Sequence, residues 1–284
     1  MSCRDSDVPM FHTERAASVV ILIPTYRPPH SVRDVIDELV GLGPIVLSDD
    51  ASPATYDLLL RHLATKGIRV IRHHENRGIA RALNDGLHVA HQFDAQWLLT
   101  LDQDSWFDRH QAEQLLRSAQ EQQQMMRGRL GVLGPGDITL QGGASLYQRS
   151  DESISHVPEV IQSGALWCVQ ALSQIGGFRQ SLTMDAVDAE ASLGLREKGF
   201  SVLVDRDISL QHALGNTRAV RILGRQVLVT HHPRKRLAHM RRNRMALFAR
   251  EFKQSPSNAV RTLRRIALNE ILTRTTSRRF PDPD

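Results

Sequence analysis

Ser18-Val19-Val20-Ile21-Leu22-Ile23-Pro24 decides the architecture. Its apolar residues follow one another without alternation, and most are β-branched. A strand with one wet face alternates polar and apolar residues. This one therefore predicts a strand covered on both faces, as in the middle of a parallel sheet. Pro44-Ile-Val-Leu-Ser48, Ile68-Arg-Val-Ile71 and Gln96-Trp-Leu-Leu-Thr-Leu101 read as further strands. Helical spacing fills the gaps: 30–42, stopping at Gly41 and Gly43; 53–66, ending at Gly67; 78–91, with Ile79, Leu83, Leu87 and Ala90 on one face; and 108–122.

Strand alternating with helix predicts an α/β domain, with a mainly parallel Rossmann-like sheet and helices on both faces. Residues 125–156, rich in Gly and Gln, read as an irregular connection across the domain. Order resumes over 165–169, followed by a helix near 186–198 and a strand at Phe200-Ser-Val-Leu-Val204. Beyond Thr217 the pattern is mostly helical, as in 258–272. The expected division is a catalytic domain over 18–215, made of a nucleotide-binding half (18–122) and an acceptor half (123–215). A basic helical extension follows over 216–284.

The 284 residues are 41% hydrophobic, enough for a large core. No run of 18 apolar residues occurs, so no membrane-spanning helix is expected. The first fifteen residues lack an apolar segment, so no secretory signal is expected. Cys3 and Cys168 are the only cysteines, which predicts neither a disulfide nor a zinc knuckle and fits a reducing cytoplasm. The net charge of +5 is unevenly placed: Arg218–Asp284 holds 17 Lys/Arg and 4 Asp/Glu, Met1–Thr217 holds 19 and 27. A basic tail faces something anionic: nucleic acid, a phosphorylated substrate or an acidic membrane surface. Arg234, Lys235, Arg236, Arg241, Arg242 and Arg244, beside short amphipathic stretches, predict a peripheral contact with the anionic inner membrane face, where lipid-linked acceptors reside. The plainer reading is a solvated helical face that serves contacts between copies in a homo-oligomer.

Ligands of an open parallel sheet gather at the carboxyl ends of its strands. Those ends read Pro24-Thr25-Tyr26-Arg27, Asp49-Asp50-Ala51-Ser52 and Asp102-Gln103-Asp104. Asp102 and Asp104 stand two apart at the end of an extended segment, so their carboxylates share a face. They repel unless a cation lies between them, and oxygen ligands select Mg²⁺ or Mn²⁺. Asp49 reads as a ligand for ribose hydroxyls or a base N–H; the plainer reading of this turn is a helix cap supplied by Asp50 or Ser52. Arg77 precedes a helix start, where free N–H groups favour anions; a surface charge is the alternative. Asp185-Ala-Val-Asp188-Ala-Glu190 has more acids than the first turn of a helix needs for its dipole. Asp188 is the expected general base, with Glu190 and Asp185 as competitors. His212, on spacing alone, reads as structural.

These pieces, in this order, resemble the family 2 glycosyltransferases of the GT-A fold, and within them the bacterial rhamnosyltransferase-like branch. The carrying motifs are Ile23-Pro24-Thr25-Tyr26, Leu47-Ser48-Asp49-Asp50-Ala51-Ser52, Glu75-Asn76-Arg77-Gly78-Ile79-Ala80-Arg81-Ala82-Leu83-Asn84 and Leu101-Asp102-Gln103-Asp104. They continue with Ser163-Gly164-Ala165-Leu166, Ile175-Gly176-Gly177-Phe178, Asp185 to Glu190, His212-Ala-Leu-Gly215 and Arg241-Arg242-Asn243-Arg244. The resemblance implies an inverting transfer of a sugar, rhamnose among the options, in cell-surface polysaccharide or glycolipid synthesis. The donor would be a dTDP-, UDP- or GDP-linked sugar, and the acceptor a hydroxyl of a glycan or lipid-linked molecule.

The same resemblance implies roles. Thr25 and Asp49 would hold the nucleoside, with Arg77 and Asn84 also in the donor site. Asp102 would meet ribose or the metal, Asp104 and His212 the metal, Asp188 the acceptor proton, and Arg242 and Asn243 the diphosphate. Two departures stand out: Ala186 and Ala189 occupy places where the family has aromatic residues, and Asp50 stands where the branch often has Asn. A nucleotidyltransferase would carry a glycine-rich basic loop after its first strand, which Pro24-Thr-Tyr-Arg-Pro-Pro29 is not. A nucleic-acid-binding protein using the Arg-rich tail conflicts with the acidic front, so no nucleic-acid partner is expected.

Overall fold

The computed structural model describes residues 17–139, 147, 152–212, 217–222, 225–230 and 234–277. The decisive stretch forms β1 (Val19–Thr25), and Val19 to Ile23 are all 0% exposed, so both faces are covered. Then follow α1 (Val32–Leu39), β2 (Ile45–Asp49), α2 (Asp57–Thr65), β3 (Arg69–Arg72), α3 (Ile79–Gln92) and β4 (Trp97–Thr100). Each lies within a residue or a few of its sequence-predicted range. After β4 come a short β5 (Ser105–Trp106), α4 (Arg109–Met125), β6 (Leu130–Thr139), β7 (Ile154–His156), β8 (Ala165–Cys168), α5 (Val169–Gln174), α6 (Val187–Glu197) and β9 (Ser201–His212).

The sheet order is β3-β2-β1-β4-β8-β6-β9-β5, with β7 also paired to β9. β3, β2, β1 and β4 are mutually parallel, as are β6 and β9. β8 runs antiparallel between β4 and β6. The sheet is thus mixed, parallel in its first half and reversed at β8. This reversal positions the site. Thr100 at the end of β4 is the register partner of Ala165 at the start of β8, so the loop entering β8 lies against the segment leaving β4. Gly164 N–H donates to Thr100 O (2.8 Å), and Thr100 Oγ1 donates to Gln162 O (2.5 Å).

Two expectations need correction. The stretch 125–156 is not wholly irregular, because it contains the ten-residue β6 and the short β7. Gly131, Gly134, Pro135 and Gly136 hide β6 from a propensity reading. Packing requires at least one of those glycines, since a Cβ on Gly136 would come within 2.9 Å of the Arg206 main chain. The register shifts at Leu130/Val132 and Pro135/Asp137 are the irregularities such residues permit. The basic extension is not purely helical either. It opens with an antiparallel hairpin, β10 (Thr217–Ile222) and β11 (Arg225–Thr230), before α7 (Arg234–Gln254) and α8 (Pro256–Ser277). Among the described residues no helix is long and apolar enough to cross a membrane.

α7 packs back on α6. Leu247 joins Ala186, Ala189 and Leu193 in a small apolar cluster. Ala186 and Ala189 are therefore small where Leu247 of α7 packs. Arg250 of α7 reaches Glu190 (2.7 Å) and Glu197 (2.5 Å), and Arg196 reaches Glu251 (2.7 Å).

Candidate active site

The tips of β1, β2 and β4 lie side by side, as the parallel order requires. At the β2 tip, Asp49 is 0% exposed, and Ser52 N–H (3.0 Å) and Ser52 Oγ (2.5 Å) both donate to it. Thr25 Oγ1 lies 3.4 Å from the same carboxylate and Arg72 Nε 3.6 Å. Asp49 therefore spends its own bonds on the turn after β2, whose Ala51 has a left-handed φ of 64°, and the helical segments that follow receive no side-chain cap bond from Asp50 or Ser52. Asp50 accepts from the N–H groups of Arg77 (2.9 Å) and Gly78 (2.8 Å), which ties the β2 tip to the loop entering α3. His73 continues this network, with Nδ1 3.2 Å from Asp50 and Nε2 2.7 Å from Asp85, which also accepts from Ser48 Oγ (2.7 Å). The Arg77 side chain is exposed and 3.5 Å from Glu75. Asn84 uses both ends of its amide on Phe178, donating to its carbonyl (2.7 Å) and accepting from its N–H (2.9 Å), so it clamps α3 to the turn after α5.

At the β4 tip the residue between the two aspartates does the joining. Gln103 Oε1 accepts from Tyr26 N–H (3.0 Å), and its amide donates to Tyr26 O (3.2 Å). This two-point clamp fixes Asp102 and Asp104 beside the end of β1. From the other side, Asp102 N–H donates to Ser163 Oγ (3.0 Å), and Ser163 donates to Ser105 Oγ (2.8 Å). Asp104 is exposed and Asp102 half-buried. Burial, then the charges of Asp104 and Asp188, push the Asp102 carboxyl up to about 7, against a hydrogen bond from the Gln162 side chain. That mutual influence places the two strand-tip aspartates and Asp188 in one electrostatic neighbourhood.

Asp188 lies in the first turn of α6, entered through Ala186 in the left-handed region (φ 66°). Burial pushes its carboxyl up and Glu159 adds to this, while Arg244 and the N–H groups of Ala189 and Gln162 pull it down. Of its competitors, Glu190 pairs with Arg250, while at Asp185 it is the main-chain carbonyl that accepts from Asn243 Nδ2 (3.0 Å). Arg244 ion-pairs with Glu159. Its burial is opposed by Glu159, Asp188 and Asp185, and the guanidinium is held firmly charged.

Of the predicted tail pair, Asn243 is buried on the inner face of α7, whereas Arg242 is exposed on the outer face. His212 is the last residue of β9, and its main chain is the register partner of Ser105, directly after Asp104. Its side chain lies outside the described residues. Among the described residues no three His, Cys, Asp or Glu side chains are spaced as a closed metal site. Two carboxylates two residues apart at an open strand tip, one raised by burial and then by its charged neighbours, do fit a hard divalent ion that completes its shell with phosphate oxygens and water.

Sequence reading missed Gln103, Gln162, Ser163, Glu159 and Arg244 as working parts. Gln103 and Ser163 stood inside quoted motifs without a role, and Glu159 and Gln162 had no signal; Arg244, expected with the other tail cations at a membrane face, is instead turned inward to Glu159 and Asp188 because it lies on the side of α7 that packs on α6.

This fold, a mixed sheet with acidic tips on its parallel strands and helices packed on it, is the GT-A glycosyltransferase fold. Residues 20–129 match the model of a family described as Glycosyl transferase family 2. That stretch holds the β1, β2 and β4 tips and ends before Gln162, Asp188 and α7. Solved structures share the fold at low identity. GalNAc-T7 with UDP, GalNAc and Mn²⁺ is 16% identical over 75% of this chain and 46% of its own, with a TM-score of 0.56. Staphylococcus aureus TarS is 15% identical over 81% of this chain and 40% of its own, at 0.57. S. aureus TarS 1–349 in complex with UDP-GlcNAc is 13% identical over 84% and 67%, at 0.59. The chain thus spans less than half the length of the first two. No curated protein matches the sequence.

Proposed function

We propose that this chain is an inverting glycosyltransferase that moves a sugar from a nucleotide-diphosphate donor to an acceptor hydroxyl. The carrying observation is that Gln162, in the loop entering β8, serves both carboxyls, its side chain bonding Asp102 and its N–H bonding Asp188, with Asp104 acting on Asp102 by charge. Asp188 takes the acceptor proton as the hydroxyl oxygen attacks the anomeric carbon. The bond to the donor diphosphate breaks on the opposite face, so the configuration inverts. A positioned base is worth about 10²–10⁴-fold. Arg244 opposes the effect of burial on that base and pulls its carboxyl back down.

Asp104, Asp102 and His212 would hold Mn²⁺ or Mg²⁺. Such an ion, when bound, offsets the charge that develops on the leaving diphosphate. Thr25 and Arg77 border the donor cleft, and Asp49 and Asn84 hold its shape from behind. UDP in the GalNAc-T7 structure and UDP-GlcNAc in the TarS structure favour a UDP-linked donor over dTDP- or GDP-linked ones. A rhamnosyl donor rests on the motif resemblance alone. The acceptor is a glycan or lipid-linked hydroxyl.

A thermal-shift screen of dTDP-, UDP- and GDP-linked sugars with Mn²⁺ identifies the donor, since ligand binding raises the melting temperature. With that donor, Asp188→Asn should bind it normally in calorimetry and lose at least ~100-fold in turnover. Near-normal turnover would remove the base assignment. Activity should vanish in excess chelator and return with Mn²⁺; activity that survives the chelator removes the metal from this reading.

A further inference from the structure

α7 is two-sided. Its inner face carries Asn243, Arg244, Leu247 and Arg250 into α6 and the site. On its outer face Ala238, Met245, Ala249 and Phe252 are exposed. They recur at intervals of seven, four and three, which keeps them in one narrow arc of a helix turning 3.6 residues per turn. Met245 is 50% exposed and Phe252 47%, large values for apolar side chains this size. The two alanines fill the line between and before them without adding a polar group. Exposed Arg242 and Lys253 flank this line on one margin, and Arg261 and Arg264 are exposed on the adjoining α8. The single acid of α7, Glu251, is turned inward to Arg196.

An apolar line with cationic margins and no outward carboxylate matches the boundary between lipid headgroups and acyl chains. A symmetric dimer through the same face would set Arg242 and Lys253 against copies of themselves, because a two-fold interface pairs one patch with itself. We infer that the outer face of α7 docks the protein onto an anionic lipid bilayer, with Met245 and Phe252 entering the interface and Arg242 and Lys253 meeting lipid phosphates. The docking deepens the proposed reaction by putting the acceptor at the bilayer, and it rests on that reading only there. The inner face of the docked helix is the one that reaches Asp188, so the site would stand about one helix diameter, ~10 Å, above the lipid.

Vesicle flotation without any donor tests the docking separately from turnover. The full chain should float with phosphatidylcholine vesicles containing about one third phosphatidylglycerol, and this should weaken with added salt. It should stay at the bottom with phosphatidylcholine alone. Met245→Glu with Phe252→Glu, and separately Arg242→Gln with Lys253→Gln, should each cut partitioning by about tenfold or more, with unchanged circular dichroism. No lipid-dependent flotation of the unmodified chain overturns the inference, as does wild-type flotation of both variants. A dimer in sedimentation that Met245→Glu with Phe252→Glu abolishes would assign the face to a second copy and overturn it. Salt-sensitive nucleic-acid binding lost in Arg242→Gln with Lys253→Gln, without flotation, would do the same.

Discussion

Asp102 is a carboxyl held where ionisation is disfavoured. Raised from 3.8 to about 7, it binds a proton more tightly in the folded chain than in the unfolded one. Its contribution to stability is full below about pH 4 and is lost as pH rises through 7. Asp102→Asn should therefore raise the metal-free melting temperature above wild type at pH 8, by about 2–4 °C per kcal/mol relieved, with the gain shrinking towards pH 5. The same variant should lose turnover, a stability–activity conflict. Scanning calorimetry at the two pH values checks the first half, and an equal melting temperature at pH 8 would refute it. Arg244 acts in the opposite sense on Asp188 by pulling its carboxyl down. Arg244→Met should move the acidic limb of the kcat profile to higher pH, and Arg244→Lys should restore most of it. A limb that stays in place would reduce Arg244 to a strut for Glu159.

Elements hold the candidate site together through a few clamps. Asn84→Ala removes both bonds to the Phe178 main chain and should cost about 2–4 kcal/mol in urea unfolding. The donor KM of the folded enzyme should stay near wild type; a large rise in KM with intact stability would restore Asn84 to direct donor contact. Gly78→Ala should be worse, because the position has φ +87° and a Cβ there would sit 2.0 Å from Thr183 O. Urea midpoints measure both. β1, β2 and β4 were legible because unbroken apolar runs have one meaning, and their acidic ends follow from chain order. β6 was not, since close packing on β9 demands glycines that propensity reads as loop. The β10–β11 hairpin was lost in a stretch judged by its charge. Arg244 instead of Arg242 is a matter of helix rotation, which only the packing of α7 on α6 reveals. The turn bonds that Asp49 accepts from Ser52 were not legible, because a buried turn-former and a ligand use the same residue type at the same strand end.

Over the whole molecule, the site is assembled from distant lengths of chain. The β1, β2 and β4 tips come from residues 20–129, Gln162 and Asp188 from the second half, and Arg244 from the extension. Truncation after residue 233 should uncover Ala186, Ala189 and Leu193 and remove Arg244. The shortened protein should melt lower and retain under about one hundredth of turnover, as expected when a base loses its support. Wild-type turnover in that fragment would show that α7 serves only attachment. The seam between these contributions runs along Gln103 and Ser163, which staple the aspartate turn to β1 on one side and to the loop before β8 on the other. A chimera that exchanges residues 20–129 for the same stretch of a paralogue, while retaining a Gln and a Ser at those two stitches, should change which activated sugar is consumed and leave the choice of hydroxyl untouched.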